Sequence, residues 1–299
     1  MTTQLMQITD EQSWLKKRDG YVTSTEVSAL YGLNPYVTHY ELWHQKRGLL
    51  PIVREENNFM LFGKLMEYVV CQMILHEHPD WKISPMKVFA YDDEDKIGSS
   101  FDRVVTVPDK GTGLLEIKTT SYKYWKEKFI EHDGYIEATP QYEVQFQTEL
   151  EVLNKYDWIL SVVFIADTRT LKYIWRDRDR DMGRVLRQAV KEFWVSTEPP
   201  APDFERDKSA IARLMPQAEK GKAMDATENE RVIFLATAIR SEKDLENQSK
   251  ENAEKFTAEL LTLVQDYQYV WTNTHKITVV DSKTGTKSLR ITEKGAKSE

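Results

Sequence analysis

The stretch GLLEIKTTS, residues 113–121, sets Glu116 and Lys118 two residues apart in a run that otherwise reads as a buried strand. Side chains alternate faces along a strand, so the two charges share one surface while Leu115 and Ile117 share the other. A solvated surface pair is the ordinary explanation of a bare Glu-x-Lys, so the motif decides nothing without its neighbours. GSSFDRVV, residues 98–105, supplies one by placing Asp102 on the preceding strand, and the turn-rich PDKGTG, residues 108–113, joins the two strands as a hairpin. With the turn near Lys110 and Gly111, Asp102 is expected opposite residues 118–119, within reach of the charged face. Two carboxylates and an ammonium there suit a hard divalent cation, which is satisfied by one or two carboxylates, a backbone carbonyl and waters. Such a cation polarises a phosphodiester and lowers the pKa of bound water, and Lys118 is placed to position that water or to stabilise developing charge.

Outward from this hairpin, the N-terminal side is helical. TSTEVSALYG, residues 23–32, spaces Thr23 and Glu26 as a capping box, and THYELWHQKRG, residues 38–48, repeats the device with Thr38 and Glu41. NNFMLFGKLMEYVVCQMILHEHP, residues 57–79, has apolar residues at helical spacing, stops at Pro79 and carries Glu67. Strands are expected at MKVFAYDD (86–93), IGSSFDRVVTV (97–107) and LLEIKTTS (114–121), followed by helices at YKYWKEKFIEHDG (122–134) and TPQYEVQFQTELEVLN (139–154). Two further strands, DWILSVVFIAD (157–167) and LKYIWRD (171–177), precede a helix through residues 182–197. The order is that of a mixed α/β core. Proline-rich STEPPAPDF, residues 196–204, marks the boundary between a domain over 1–205 and an extension over 206–299. The extension reads as one long helix through 229–265 with a thin apolar face that calls for a partner surface, then a polar hairpin and a loose tail.

Composition bounds the rest. With 40% hydrophobic residues and eight tryptophans among 299, the chain has enough core material to fold without metal or disulfide support, and Cys71 is its only cysteine. That suits a reducing compartment. The opening residues show neither a basic start nor an apolar run, and the longest span candidate, 157–167, is only strand length, so a cytoplasmic protein with no membrane partner is expected. A formal charge of −7 argues against coating nucleic acid through bulk electrostatics but leaves room for a local basic groove. The six histidines fall in no metal-ligand spacing, and no Walker-type phosphate loop is present.

Asp102, Glu116 and Lys118 match the Asp…Glu-x-Lys signature of PD-(D/E)xK nucleases. The surrounding blocks make the match more specific. WLKKRDGYVTSTEVSALYGLNPYVTHYELWHQKRG (14–48), FGKLMEYVV (62–70) and ATPQYEVQFQTEL (138–150) resemble, in order, successive blocks of the lambda exonuclease and YqaJ-like viral recombinase family, with similarity over about residues 14–195. The resemblance implies a restriction-endonuclease-like α/β core, a mixed central sheet flanked by helices. It also implies a 5′→3′ exonuclease that acts on linear duplex DNA with Mg²⁺, or Mn²⁺ in its place, and leaves 3′ single strands for recombination. Asp102 and Glu116 would be metal ligands, joined by the Ile117 carbonyl and Glu67. Lys118 would be the catalytic lysine, and Gln145 would approach the site from its helix. Arg18 and Thr25 match residues that hold a terminal 5′-phosphate, and the helix start at Thr23, Ser24 and Thr25 offers free N–H groups to an anion. Plain N-capping by Thr23 is the alternative. Arg103 follows the aspartate where glycine is common in the family, so it either restricts access to the metal or contacts DNA. The implied partners are DNA ends, further copies of the chain in a ring, and a single-strand annealing protein. A nicking endonuclease on the same core and a catalytically silent DNA-binding protein are the competing readings.

Overall fold

The helix Pro140–Leu153 buries ten consecutive residues, Val144–Leu153, so it is surrounded by structure on every side. Proline at its first position and Asn154 in the left-handed conformation after its last residue set its ends. The structure, a computed structural model, describes residues 3–54, 57–282 and 287–293. Along the chain the elements are β1 (Gln4–Gln7), α1 (Glu11–Asp19), β2 (Val22–Thr23), α2 (Ser24–Val27), a 3₁₀ turn Ser28–Tyr31, α3 (His39–Lys46) and α4 (Asn58–Glu77). Five strands follow, β3 (Lys82–Pro85), β4 (Val88–Asp92), β5 (Ile97–Ser100), β6 (Arg103–Val107) and β7 (Gly111–Thr120). Then come α5 (Tyr122–Lys128), β8 (Ile130–His132), β9 (Tyr135–Glu137), α6 (the central helix), β10 (Trp158–Ile165), β11 (Thr170–Asp177) and α7 (Arg180–Val195). The last are α8 (Lys208–Leu214), α9 (Glu230–Val264), β12 (Tyr269–Trp271), β13 (His275–Asp281) and β14 (Lys287–Glu293).

The main sheet has the order β11-β10-β7-β6-β3, mixed in direction because β10 runs parallel to β7 while the other neighbours are antiparallel. A parallel neighbour requires a crossover, and α5, the small β8–β9 hairpin and α6 form it. A second sheet has the order β1-β4-β5-β2. Leu115 and Ile117 face one side of the main sheet, in a core with Leu160, Val162 and α4 residues Val70, Cys71 and Ile74. Leu114 faces the other, with Ile159 and the α6 residues Val144, Phe146 and Leu150. Glu116 and Lys118 follow Leu114 in alternation, so they point towards α6 rather than towards solvent.

Several expectations change. The single strand over 97–107 is two strands in different sheets, because the chain crosses from one sheet to the other at Phe101 and Asp102; the crossing is tied by Met86 N donating to Asp102 O at 3.3 Å. The helix expected through 134 ends at Lys128. Asp133 and Gly134 instead close the β8–β9 hairpin in a two-residue turn, with Gly134 (φ +77°) in the left-handed position that favours glycine. β1, paired with β4, is an addition. Contacts divide the chain into Met1–Gln217 and Ala218–Glu299, so the boundary lies beyond α8 rather than at 205. The reason is Asp207, 1% exposed, which accepts from Thr38 Oγ1 at 2.5 Å, while Arg206 Nη2 donates to Asn34 O at 2.6 Å. In the second unit the expected hairpin is a three-stranded sheet, β12-β13-β14. The loose tail, 294–299, lies outside the described residues.

No membrane-length segment was expected, yet α4 has the length and mean hydropathy of one. It carries Lys64 and Glu67, and its C-terminal half packs Val70, Cys71 and Ile74 into the core.

Candidate active site

The β6–β7 hairpin brings Asp102 to Glu116. Its turn is Pro108–Lys110, with Asp109 left-handed at φ +63° and Val107 paired with Gly111. That is earlier than the turn read from sequence, and it moves the register: Arg103 pairs with Leu115, which puts Asp102 level with Glu116 rather than with residues 118–119. Asp102 Oδ2 accepts from Ile117 N at 2.9 Å. Burial, and then the neighbouring Glu116 charge, push the Asp102 carboxyl well above its ordinary value.

Glu116 is 5% exposed and its Oε1 accepts from Lys118 Nζ at 2.7 Å and Gln145 Nε2 at 2.8 Å. Gln145 Oε1 in turn accepts from Lys118 Nζ at 3.1 Å, and the ammonium lies 5.1 Å from the centre of the Tyr142 ring. Burial acts to lower the Lys118 pKa, but Glu116, then Tyr142 and Asp102, outweigh it and raise it, so this lysine stays an ammonium. Asp102 Oδ1 and Glu116 Oε2 accept no hydrogen bond among the described residues.

The other expected site residues are placed less uniformly. Glu67, on α4, sits 3.8 Å from Arg103 Nη2, and no three His, Cys, Asp or Glu side chains among the described residues close into a metal-ligand group. Glu67 is therefore turned to Arg103 and does not complete a carboxylate cage. Burial raises its pKa, and the Arg103 cation opposes that. Asp102, Glu67 and Arg103 instead line one cavity of about 470 Å³ with Trp14. Arg18 Nη2 donates to Thr25 Oγ1 at 3.1 Å and approaches Thr23 Oγ1 at 3.4 Å. Ser24 departs from expectation: it is 3% exposed and its hydroxyl accepts from Ser99 Oγ at 2.8 Å, so it faces the core. The helix behind these residues, α2, spans only four residues, too short for a developed dipole, so Arg18 and the hydroxyls carry whatever anion affinity this corner has. Thr25 shares a second cavity, about 220 Å³, with Lys118, Gln145, Asn34 and Tyr142.

Gln147 does not share Gln145's surroundings. It donates to Asp177 O at 3.0 Å and accepts from Asp179 N at 2.8 Å, tying α6 to the β11–α7 connection. Glu149 was missed by sequence reading. It is 1% exposed, it accepts from Gln145 Nε2 at 2.7 Å, and burial and the Glu116 charge push its carboxyl well above the ordinary range. Its signal is legible in hindsight: Gln145 and Glu149 are four residues apart and so share a face of α6.

Residues 13–155 match the YqaJ-like viral recombinase domain. The match spans 143 of the chain's 299 residues and takes in the β6–β7 hairpin and α6. YqaJ of Bacillus subtilis (strain 168), an uncharacterised protein, is 25% identical over 294 residues, 93% of this chain and 86% of that one. The alkaline exonuclease LHK-Exo from Laribacter hongkongensis is similar at 20% identity, covering 69% of this chain and all of that chain, with a TM-score of 0.48. A phage-related exonuclease from Haemophilus somnus is similar at 13% identity over 58% of this chain and 93% of that chain, TM-score 0.38. The core is a mixed α/β fold, with Asp102 at the entry to β6 and Glu116 and Lys118 on β7.

Proposed function

We propose that the chain is a divalent-metal-dependent 5′→3′ exonuclease on linear duplex DNA, leaving 3′ single strands for recombination by annealing. The observation that carries this reading is the single cavity of about 220 Å³ lined by both Thr25 and Lys118. A terminal phosphate held by Thr25 and Arg18 lies beside the lysine that would act on the neighbouring phosphodiester. A site working within a continuous strand has no use for such an end pocket.

The donor set fits a hard cation. Asp102 Oδ1 and Glu116 Oε2 remain available, and the acids Asp102, Glu116, Glu149 and Glu67 outnumber the nearby cations Lys118 and Arg103. Asp102, Glu116 and the Ile117 carbonyl would hold Mg²⁺ or Mn²⁺, with Glu67 able to join only by leaving Arg103. Once bound, the ion supplies Lewis-acid polarisation of the phosphate and acidification of a water. Lys118 donates to the attacking water or to the oxygen where charge develops, and Gln145 and Tyr142 hold it in place. Gln145 presents its carbonyl to Lys118 and its amide to Glu116 because Glu149 takes the second amide proton.

Glu149 is therefore a positioning residue. Glu149→Ala is expected to lower kcat about tenfold with KM for DNA unchanged. Glu149→Gln, which keeps an acceptor for Gln145, should restore most of it; equal losses in both variants would reduce Glu149 to a packing role.

The reading is tested on matched linear and covalently closed circular duplexes, the linear one labelled at either end, with Mg²⁺ and with a chelator. Release of the 5′ label as mononucleotide from linear DNA alone, abolished by chelation, is expected. Cutting of the circle would favour the endonuclease, and no metal-dependent hydrolysis by folded protein would overturn the enzyme. Subunit rings and an annealing partner follow from the family resemblance, and sedimentation of the full chain tests the first.

A further inference from the structure

The second unit carries an aromatic and basic sheet face. In its sheet, Tyr269 pairs with Thr278 and Thr278 with Arg290; in the next row Trp271 pairs with Lys276 and Lys276 with Thr292. Strand alternation sorts these residues onto one face and Ile277 and Val279 onto the other. Ile277 and Val279 are 5% and 6% exposed, buried as is Val264 at the end of α9. The opposite face is open: Tyr269 is 44% and Trp271 60% exposed, beside exposed Lys276 and Arg290. The Tyr269 and Trp271 rings stack with centroids 6.0 Å apart and planes 26° from parallel, and Lys276 Nζ lies 5.4 Å from the Tyr269 ring centre. The strands' described acids, Asp281 and Glu293, lie on the Ile277 face, so the outward face carries two cations and no carboxylate among the described residues. In a chain of net charge −7 that is a local reversal of sign.

We propose that this face binds single-stranded nucleic acid, with bases stacked on Tyr269 and Trp271 and phosphates beside Lys276 and Arg290. Exposed aromatic rings on a flat sheet offer bases a platform that is tolerant of sequence, and the flanking cations track the backbone. A duplex has its bases already stacked on one another and would meet only the two cations. A protein partner would leave those two cations without a stated counterpart. The inference rests on side chains of the second unit alone and does not depend on the nuclease reading.

The test uses the full chain in a chelator, so that no cleavage occurs, and a fluorescein-labelled oligo(dT) of about 20 nucleotides. Anisotropy should show binding, and the protein's tryptophan fluorescence should be quenched. Trp271→Ala is expected to weaken oligo(dT) binding about tenfold, without affecting a duplex of the same length. Trp271→Phe, which keeps the stacking surface, should bind within about twofold of the parent while losing part of the quench. Lys276→Glu with Arg290→Glu should weaken binding and flatten its salt dependence. These positions are exposed, and unchanged melting of each variant confirms folding. Wild-type oligo(dT) affinity in Trp271→Ala, or an equal loss on the duplex, would overturn the proposal. So would a fall in sedimenting mass at unchanged affinity, which would mark the face as a contact between subunits. None of these results bears on the nuclease assay, which is run separately with metal.

Discussion

Replacing Lys118 with alanine is expected to lower kcat by about 10²–10³, a loss of roughly 3–4 kcal/mol of transition-state stabilisation, with KM for DNA changed only a few-fold. The ammonium sits 2.7 Å from Glu116 Oε1 and 3.1 Å from Gln145 Oε1, so its position is fixed before substrate arrives. A charge that needs no reorganisation at the moment of reaction is where such a loss is largest. Arginine should not rescue it, because a planar guanidinium cannot occupy the point between Glu116, Gln145 and the Tyr142 ring that the ammonium fills. A rise in Tm on adding Mg²⁺ is expected of the parent and should survive in Lys118→Ala, since the carboxylates remain and one competing cation is gone. Glu116→Gln should lose both activity and the Mg²⁺-dependent rise in Tm. The pair of variants thus separates the donor from the metal ligand. Activity within threefold of the parent in Lys118→Ala would remove the lysine from the chemistry.

How far this site was legible depended on which physical signal each residue leaves. Alternation places Leu115 and Ile117 opposite Glu116 and Lys118 without error, because one face of β7 packs on α4 and the other on α6. The same alternation cannot reveal that the 97–107 run changes sheets at Phe101 and Asp102, since the period continues through the crossing. The hairpin register depended on one turn, and Asp109 rather than Gly111 is its pivot, which moved Asp102 from residues 118–119 to Glu116. Ser24 read as an anion donor because a helix start was visible, whereas its bond to Ser99 is between residues 75 positions apart and leaves no local trace. Glu149 failed for a related reason. A charged residue on a helix is read as solvated, and only the burial of α6 on all sides forces each of its polar groups to find a partner.

The same all-round burial sets up the largest expected stability effect. Glu151, at 4% exposure, cannot reach water from α6 and is met by Arg187 of α7, whose Nε donates to Glu151 Oε1 at 3.0 Å. Arg187 Nη1 donates to Asp95 Oδ2 at 2.7 Å and Asp92 Oδ2 at 3.1 Å, both buried beside β4. Arg187→Met would fill much of the volume but strand three buried carboxylates with only Lys191, 3.0 Å from Asp95, and Arg178, 2.8 Å from Glu151, left as counter-charges. Removing one partner of a buried ion pair costs about 3–5 kcal/mol, which for a unit of this size lowers Tm by roughly 6–20 °C. The loss should depend on pH. Burial works to raise the Asp95 carboxyl pKa, but the hydrogen bonds from Arg187 and Lys191 outweigh it and hold the value below the ordinary 3.8. A carboxylate with a depressed folded pKa contributes stability above its unfolded pKa and loses it as pH falls through the folded one. Parent and variant should therefore differ most in Tm near neutrality and converge below about pH 3.8. A Tm gap that stayed constant from neutral to acid pH would show that the arginine acts through packing and not through its charge.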